Sequence, residues 1–217
     1  MTNYNDLVKD IHDYSVDIIN RHIFLNNYPS AIDDGNPGVE HKMANTFIKN
    51  IRILDSINND QIIIHMHSIG GNWNDGMAIF DAITNCKSRI CIIVYGQAES
   101  MSSIILQAAD CRIMMPNAYF MCHFGSSGLS GNYLDVQQIA AFEKRIVDRM
   151  LNIYAESCAG GKFFTEQIPK PSPGKIKAFL KRKFKDGDWY LDAEECVYYG
   201  FADGVFGSKN FKNIASI

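Results

Sequence analysis

Between residues 62 and 124, short apolar runs alternate with stretches of helical length, and that alternation leaves few folds open. Ile62-Ile63-Ile64-His65-Met66 is a run of strand length that stops at Ser68-Ile69-Gly70-Gly71-Asn72. Met77-Ala78-Ile79-Phe80 and Ile83 follow at helical spacing. Ile90-Cys91-Ile92-Ile93-Val94 reads as a second strand ended by Gly96, and residues 101–109 as a second helix. Residues 111–115 form a third strand, stopped by Pro116-Asn117, and residues 119–124 a fourth. Strands alternating with helices of this length predict an α/β fold of repeated βαβ units, a parallel sheet and right-handed crossovers.

The flanks extend this pattern. Ile23-Phe24-Leu25 is a short strand, residues 29–38 a loop rich in Asp, Asn, Pro and Gly, and residues 40–57 a helix with Met43, Phe47, Ile51 and Leu54 in phase. A long helix is expected over residues 132–158, with Leu134, Ile139, Phe142, Ile146, Met150 and Ile153 on or near one face and Gly160-Gly161 as its stop. A loop carrying Pro169, Pro171 and Pro173 leads to the basic stretch 175–185, whose Ile176, Phe179, Leu180 and Phe184 share a helical face. The bland reading of that stretch is a packed amphipathic helix with a solvated basic side; the sharper one is a docking or gating element beside Asp188. Residues 192–199 make a short helix closed by Gly200.

At 217 residues the chain fits one domain, read as 1–217 with an N-terminal segment at 1–17 and a basic insertion at 162–186. With 21 basic and 24 acidic residues, nothing in the charge balance points to nucleic acid or a membrane surface. No apolar run is long enough to span a bilayer, and the polar start carries no signal-peptide pattern. The six cysteines form no CxxC pair and lie mostly in apolar runs, so reduced, buried thiols and a cytoplasmic location are expected.

Three polar positions carry candidate chemistry. Ser100 lies between a strand and an apolar helix, His123 falls late in the fourth strand, and Asp188 sits in the turn Asp186-Gly187-Asp188. A serine hydroxyl becomes a nucleophile when an imidazole takes its proton and a carboxylate fixes the tautomer of that imidazole. A helix N-terminus supplies unpaired N–H groups for the oxyanion, and Gly70-Gly71 lets a second backbone segment approach. Each residue has a plainer reading: Ser100 as a helix cap, with Ser102 and Ser103 as rivals, His123 as a hydrogen-bonded strand residue, Asp188 as a turn former. The glycine pair lacks the lysine of a P-loop, and Ser100 lacks the glycine flanks of a hydrolase elbow. His65 and His67 are two apart on one strand, a potential metal pair with no third ligand in view, so no metal is expected.

Four segments in order resemble the ClpP family. They are Ser68-Ile69-Gly70-Gly71-Asn72 with Gly76-Met77-Ala78-Ile79-Phe80-Asp81; Gly96-Gln97-Ala98-Glu99-Ser100-Met101-Ser102; Pro116-Asn117-Ala118-Tyr119-Phe120-Met121-Cys122-His123; and Asp188-Trp189-Tyr190-Leu191-Asp192-Ala193-Glu194-Glu195 with Tyr199-Gly200 and Asp203. The resemblance implies a ClpP/crotonase-like superhelix of βαβ units with a long handle helix at 132–158. It implies Ser100 as nucleophile, His123 as general base and Asp188 as the orienting acid, with the amides of Gly71 and Met101 as oxyanion hole. Residues 125–131, among them Gly125, Ser126, Ser127, Gly128 and Leu129, would pair with an extended peptide substrate. The implied assembly is a homo-oligomer of heptameric rings stacked into a tetradecamer and served by an AAA+ unfoldase of the ClpX, ClpA or ClpC kind. No cofactor is implied. Where the family carries two tyrosines at the unfoldase dock, this chain has Ile63 and His65; Ile69 and Ser102 replace a proline and a glycine. Two other readings follow from the same scaffold: a ring subunit that has lost activity and pairs with an active paralogue, and a crotonase-type acyl-CoA enzyme.

Overall fold

The computed structural model describes residues 4–26, 38–126, 128 and 130–212. In chain order the elements are α1 (Tyr4–Tyr14), β1 (Val16–Asp17), β2 (His22–Asn26), α2 (His41–Ile57), β3 (Ile62–Ser68), α3 (Trp73–Thr84), β4 (Ile90–Glu99), α4 (Met101–Leu106), β5 (Cys111–Met114), β6 (Tyr119–Cys122), α5 (Tyr133–Ser157), α6 (Lys162–Gln167), α7 (Pro173–Lys185), β7 (Trp189–Leu191), α8 (Ala193–Tyr199) and β8 (Gly204–Val205). The main sheet runs β1-β2-β3-β4-β5-β8, and β6 and β7 branch from β4. The pairs β2–β3, β3–β4, β4–β5, β4–β6 and β5–β8 are parallel, as the βαβ pattern predicts; β1–β2 and β6–β7 are antiparallel. The loop expected at 29–38 lies outside the described residues except for Gly38.

The continuous apolar runs are explained by burial on both faces. Ile62, Ile64, Met66, Ile90, Ile92 and Val94 belong to the main core under the helices. Ile63, Cys91, Ile93, Cys111 and Ile113 point the other way into a second cluster, covered by Tyr95, Phe206 and Phe211.

One strand departs from the expectation. β4 does not end at Gly96 but runs on to Glu99. Its first part pairs with β5 through Cys91–Val94, and its last part pairs with β6 through Gln97–Glu99. Gly96 stands between the two with φ 63°, and a Cβ there would lie 2.9 Å from His67 Nε2. The glycine marks a bend that passes the strand from one neighbour to another. That bend aims the end of β4 at the site.

α5 is capped by the Asn132 side chain, which accepts from the Leu134 and Asp135 amides. Its expected apolar face is covered only near the C-terminal end, at Met150, Leu151, Tyr154 and Ala155; Tyr133, Leu134 and Phe142 stay exposed. Within 162–186 the chain folds into α6 and α7. At six residues α6 is too short to show a period in sequence. α7 buries Ile176, Phe179, Leu180 and Phe184 and turns its basic residues outward, the packed amphipathic helix of the bland reading. Phe184 meets Phe124 at 5.4 Å and Tyr154 at 6.0 Å, ring centre to ring centre. Phe184→Ala is expected to destabilise the fold by about 3–5 kcal/mol, read as a lowered urea midpoint at constant slope. A loss under about 1 kcal/mol would show that α7 is not part of the core.

On the outer face of β3, His65 is buried between a stacked Phe24 ring at 4.9 Å and the side chains of His22 and Tyr95. Its Nε2 lies 3.2 Å from His22 Nδ1 and its Nδ1 3.1 Å from the Tyr95 hydroxyl. No group of three or more His, Cys, Asp or Glu side chains able to hold a metal gathers among the described residues. Burial, and then the neighbouring His22, pull the His65 imidazole down to about 4. The unfolded chain, at its ordinary 6.5, takes up this proton first. Stability from neutral His65 is therefore complete above pH 6.5 and is lost as pH falls towards 4, a loss of about 1–2 kcal/mol at pH 5. His65→Phe is expected to remove that part of the acid sensitivity, measured as the difference in urea midpoint between pH 7.5 and pH 5. An unchanged difference would assign the sensitivity to other groups.

No helix among the described residues is long and apolar enough to cross a membrane.

Candidate active site

Two strand registers bring the site together. β6 lies parallel to β4 with Glu99 opposite Met121, and the Ser100 amide donates to the Met121 carbonyl at 2.9 Å. β7 lies antiparallel to β6 with Cys122 opposite Trp189, so the next residues outward, His123 and Asp188, come face to face. β6 ends at Cys122, short of the predicted strand end at Phe124. His123 is thereby released from the ladder and its ring reaches both ways. His123 Nε2 lies 2.8 Å from Ser100 Oγ, and Nδ1 lies 3.0 Å from Asp188 Oδ1. With the Nδ1 proton donated to the carboxylate, Nε2 is left to accept from the serine hydroxyl. Cys122 points the opposite way, into the core, where burial holds its thiol well above the ordinary value.

Ser100 sits in a sharp turn at φ 51° and ψ −119° between β4 and α4. A non-glycine residue at positive φ stores backbone strain, and here it lifts the side chain out of the strand. The turn is sharp although no glycine flanks Ser100 two residues on either side. Another glycine permits it: a Cβ on Gly70 would meet Glu99 O at 2.5 Å, Met101 N at 2.7 Å and Ser100 Cβ at 2.8 Å.

The rival serines are fully buried and engaged. Ser102 Oγ donates to Ser68 Oγ at 2.7 Å, and Ser103 Oγ donates to the Ser100 carbonyl at 2.6 Å, with the Tyr154 hydroxyl also 2.6 Å away. Ser68 in turn accepts from the Gly70 amide at 3.3 Å. The hydroxyls at 102 and 103 thus brace the two backbone turns on either side of Ser100.

Two backbone amides at the cavity that Ser100 lines, those of Gly71 and Met101, have no hydrogen-bond partner among the described residues. The bridge from Val39 uses the Gly70 carbonyl and the Asn72 amide and passes over Gly71 N–H. Met101 opens α4, so its N–H has no carbonyl one turn earlier in the helix. Gly125, Ser126 and Gly128 follow His123 in irregular chain, while Ser127 and Leu129 lie outside the described residues.

Beside the hydroxyl opens a cavity of ≈ 310 Å³, lined by Gly71, Ser100, Met101, His123, Gly125 and Ser126 and walled by Trp73, Ile104, Phe124, Ile146, Met150 and Tyr154. Glu143 lines it as well. Glu99 ends β4 next to Ser100; burial and then the Asp188 charge raise its carboxyl, and His123 offsets part of that rise. The sequence reading missed Trp73, Glu99, Glu143 and Tyr154 as site neighbours. In the sequence Glu99 stands directly before Ser100, and Glu143 and Tyr154 stand at helical spacing from Met150.

The sequence profile described as Clp protease matches residues 30–209. A similar protein is ATP-dependent Clp protease proteolytic subunit 2 of Pseudomonas aeruginosa, 32% identical over 174 residues, covering 79% of each chain. The ATP-dependent Clp protease proteolytic subunit of Deinococcus radiodurans is 31% identical over 170 residues, 77% of this chain and 76% of that protein. Among solved structures, a ClpP1 point mutant from Listeria monocytogenes superposes with a TM-score of 0.69 at 22% identity, covering 88% of this chain and 94% of that one.

Proposed function

The chain belongs to the Clp protease family, and on that premise we propose that it is a serine endopeptidase with Ser100, His123 and Asp188 as its catalytic triad. The observation that carries this reading is the unbroken hydrogen-bonded path from Ser100 Oγ through both nitrogens of His123 to Asp188. Ser100 Oγ attacks the scissile carbonyl as His123 Nε2 takes its proton. The tetrahedral oxyanion is held by the amides of Gly71 and Met101. His123 then gives its proton to the leaving amine, and an acyl-enzyme on Ser100 remains for water to hydrolyse through the same base. Asp188 keeps the Nδ1 proton in place and stabilises the imidazolium. An extended peptide lies along 125–131, pairing by its backbone, with one side chain in the cavity beside Ser100.

We place the subunit in a cytoplasmic homo-oligomer of heptameric rings, two rings stacking through α5. The exposed Tyr133, Leu134 and Phe142 on the first half of that helix support this, since apolar residues clustered on a projecting element ask for a partner. Six free cysteines fit a reducing compartment. An AAA+ unfoldase docks at the outer face of β2 and β3, where Phe24, His65 and Tyr95 line an open pocket.

Hydrolysis of a short fluorogenic peptide by the purified oligomer tests the reading. His123→Ala is expected to lower kcat/KM by at least about 1,000-fold with the ring intact. Equal turnover by the variant would overturn it.

A further inference from the structure

Glu143 is an acid on an apolar helix face. Its neighbours at three and four residues on either side are Ile139, Ala140, Ile146 and Val147, so α5 offers it no cation at those spacings. Among the described residues, no basic side chain other than His123 lines the cavity that it shares with Ser100. Its spacing to Ile146, Met150 and Tyr154 puts it on the strip of α5 that forms the cavity wall, and it is only partly exposed. Trp73, Ile146 and Met150 line the same cavity. The cavity thus combines an apolar and aromatic lining with one carboxylate.

From this we infer that Glu143 is a specificity residue, selecting substrates with a basic, long-stemmed side chain, lysine or arginine, at the residue whose carbonyl Ser100 attacks. The aliphatic stem of such a side chain lies along Ile146 and Met150. Its charged head reaches the Glu143 carboxylate, with the Trp73 face as a second attraction for a cation. An acidic side chain in the same place meets a like charge in a half-dry pocket. The inference rests on the reading of Ser100 as nucleophile, because that fixes which substrate side chain enters the cavity.

The test compares fluorogenic peptides that differ at this one residue: lysine, norleucine, which keeps the stem and lacks the ammonium, and glutamate. Lysine is expected to exceed norleucine about 5- to 20-fold in kcat/KM, with glutamate lowest. Glu143→Gln should erase the lysine advantage, so that lysine and norleucine peptides are cleaved within about twofold of each other. Glu143→Lys should invert the order of lysine and glutamate, which a merely structural role would not do. In parallel, Ser100→Ala protein is titrated with the product peptides ending in lysine or norleucine, followed by anisotropy. That binding is expected to show the same charge preference, weaker at high salt. Norleucine cleaved as fast as lysine would overturn the specificity and leave the triad standing. If no peptide is cleaved, the triad reading fails, and the titration decides the pocket by itself: equal binding of the two product peptides overturns the inference.

Discussion

Ser100→Ala is expected to lower kcat/KM for peptide hydrolysis by about 10,000-fold or more while the oligomer, its melting temperature and its peptide affinity stay close to those of the parent. The variant removes one hydroxyl from a half-exposed turn. That hydroxyl's partner is the His123 Nε2 atom 2.8 Å away, which can bond to water instead. Neither Ser102 nor Ser103 can take over. Both are fully buried, one tied to Ser68 and the other to the Ser100 carbonyl and Tyr154. Asp188→Asn should come close to the same loss for a different reason: an amide cannot hold His123 with its proton on Nδ1 and Nε2 free to accept. Residual activity within tenfold of the parent in Ser100→Ala would rule out the acyl-enzyme route.

Gly70→Ala should be nearly as damaging without removing any reacting group. The residue has φ 89°, where a side chain is strained, and the added carbon would lie 2.5–2.8 Å from Glu99 O, Met101 N and Ser100 Cβ. Two of these are backbone atoms and the third is fixed to the backbone, so no flexible side-chain end can swing away. The cost falls on the turn that holds Ser100 at its own positive φ. Displacing the hydroxyl or the Met101 amide by about an ångström loses on the order of 100-fold in rate. We expect at least that loss, together with about 1–3 kcal/mol of stability from the strained dihedral. A folded Gly70→Ala oligomer with parental activity would show that the close contact between the two turns is not needed for catalysis.

Much of this was legible in the sequence because the βαβ pattern is local. Ile62–Met66, Ile90–Val94 and residues 111–115 announce buried strands by composition and length, and Asp192 with Glu195 and Gly200 announce both ends of α8. The order of Ser100, His123 and Asp188 was legible as well, from motifs that resemble those of a known family. Other features depend on contacts far apart in the chain. The run of β4 beyond Gly96 is set by β6, which takes over as its neighbour, and a glycine in a strand reads locally as a stop. The sharp turn at Ser100 is made possible by Gly70, far earlier in the chain, so no flanking residue reveals it. α6 is shorter than any period that could expose it. The Glu143 side chain reads as a surface acid until α5 is laid against the cavity.

The most direct measurement is labelling of the purified oligomer with a fluorophosphonate, followed by peptide mass mapping. We predict a single adduct on Ser100, abolished in His123→Ala and strongly reduced in Asp188→Asn. An adduct on Ser102 or Ser103, or none on a well-folded oligomer, would contradict the triad. The absence of any adduct would favour a ring subunit that has lost its activity.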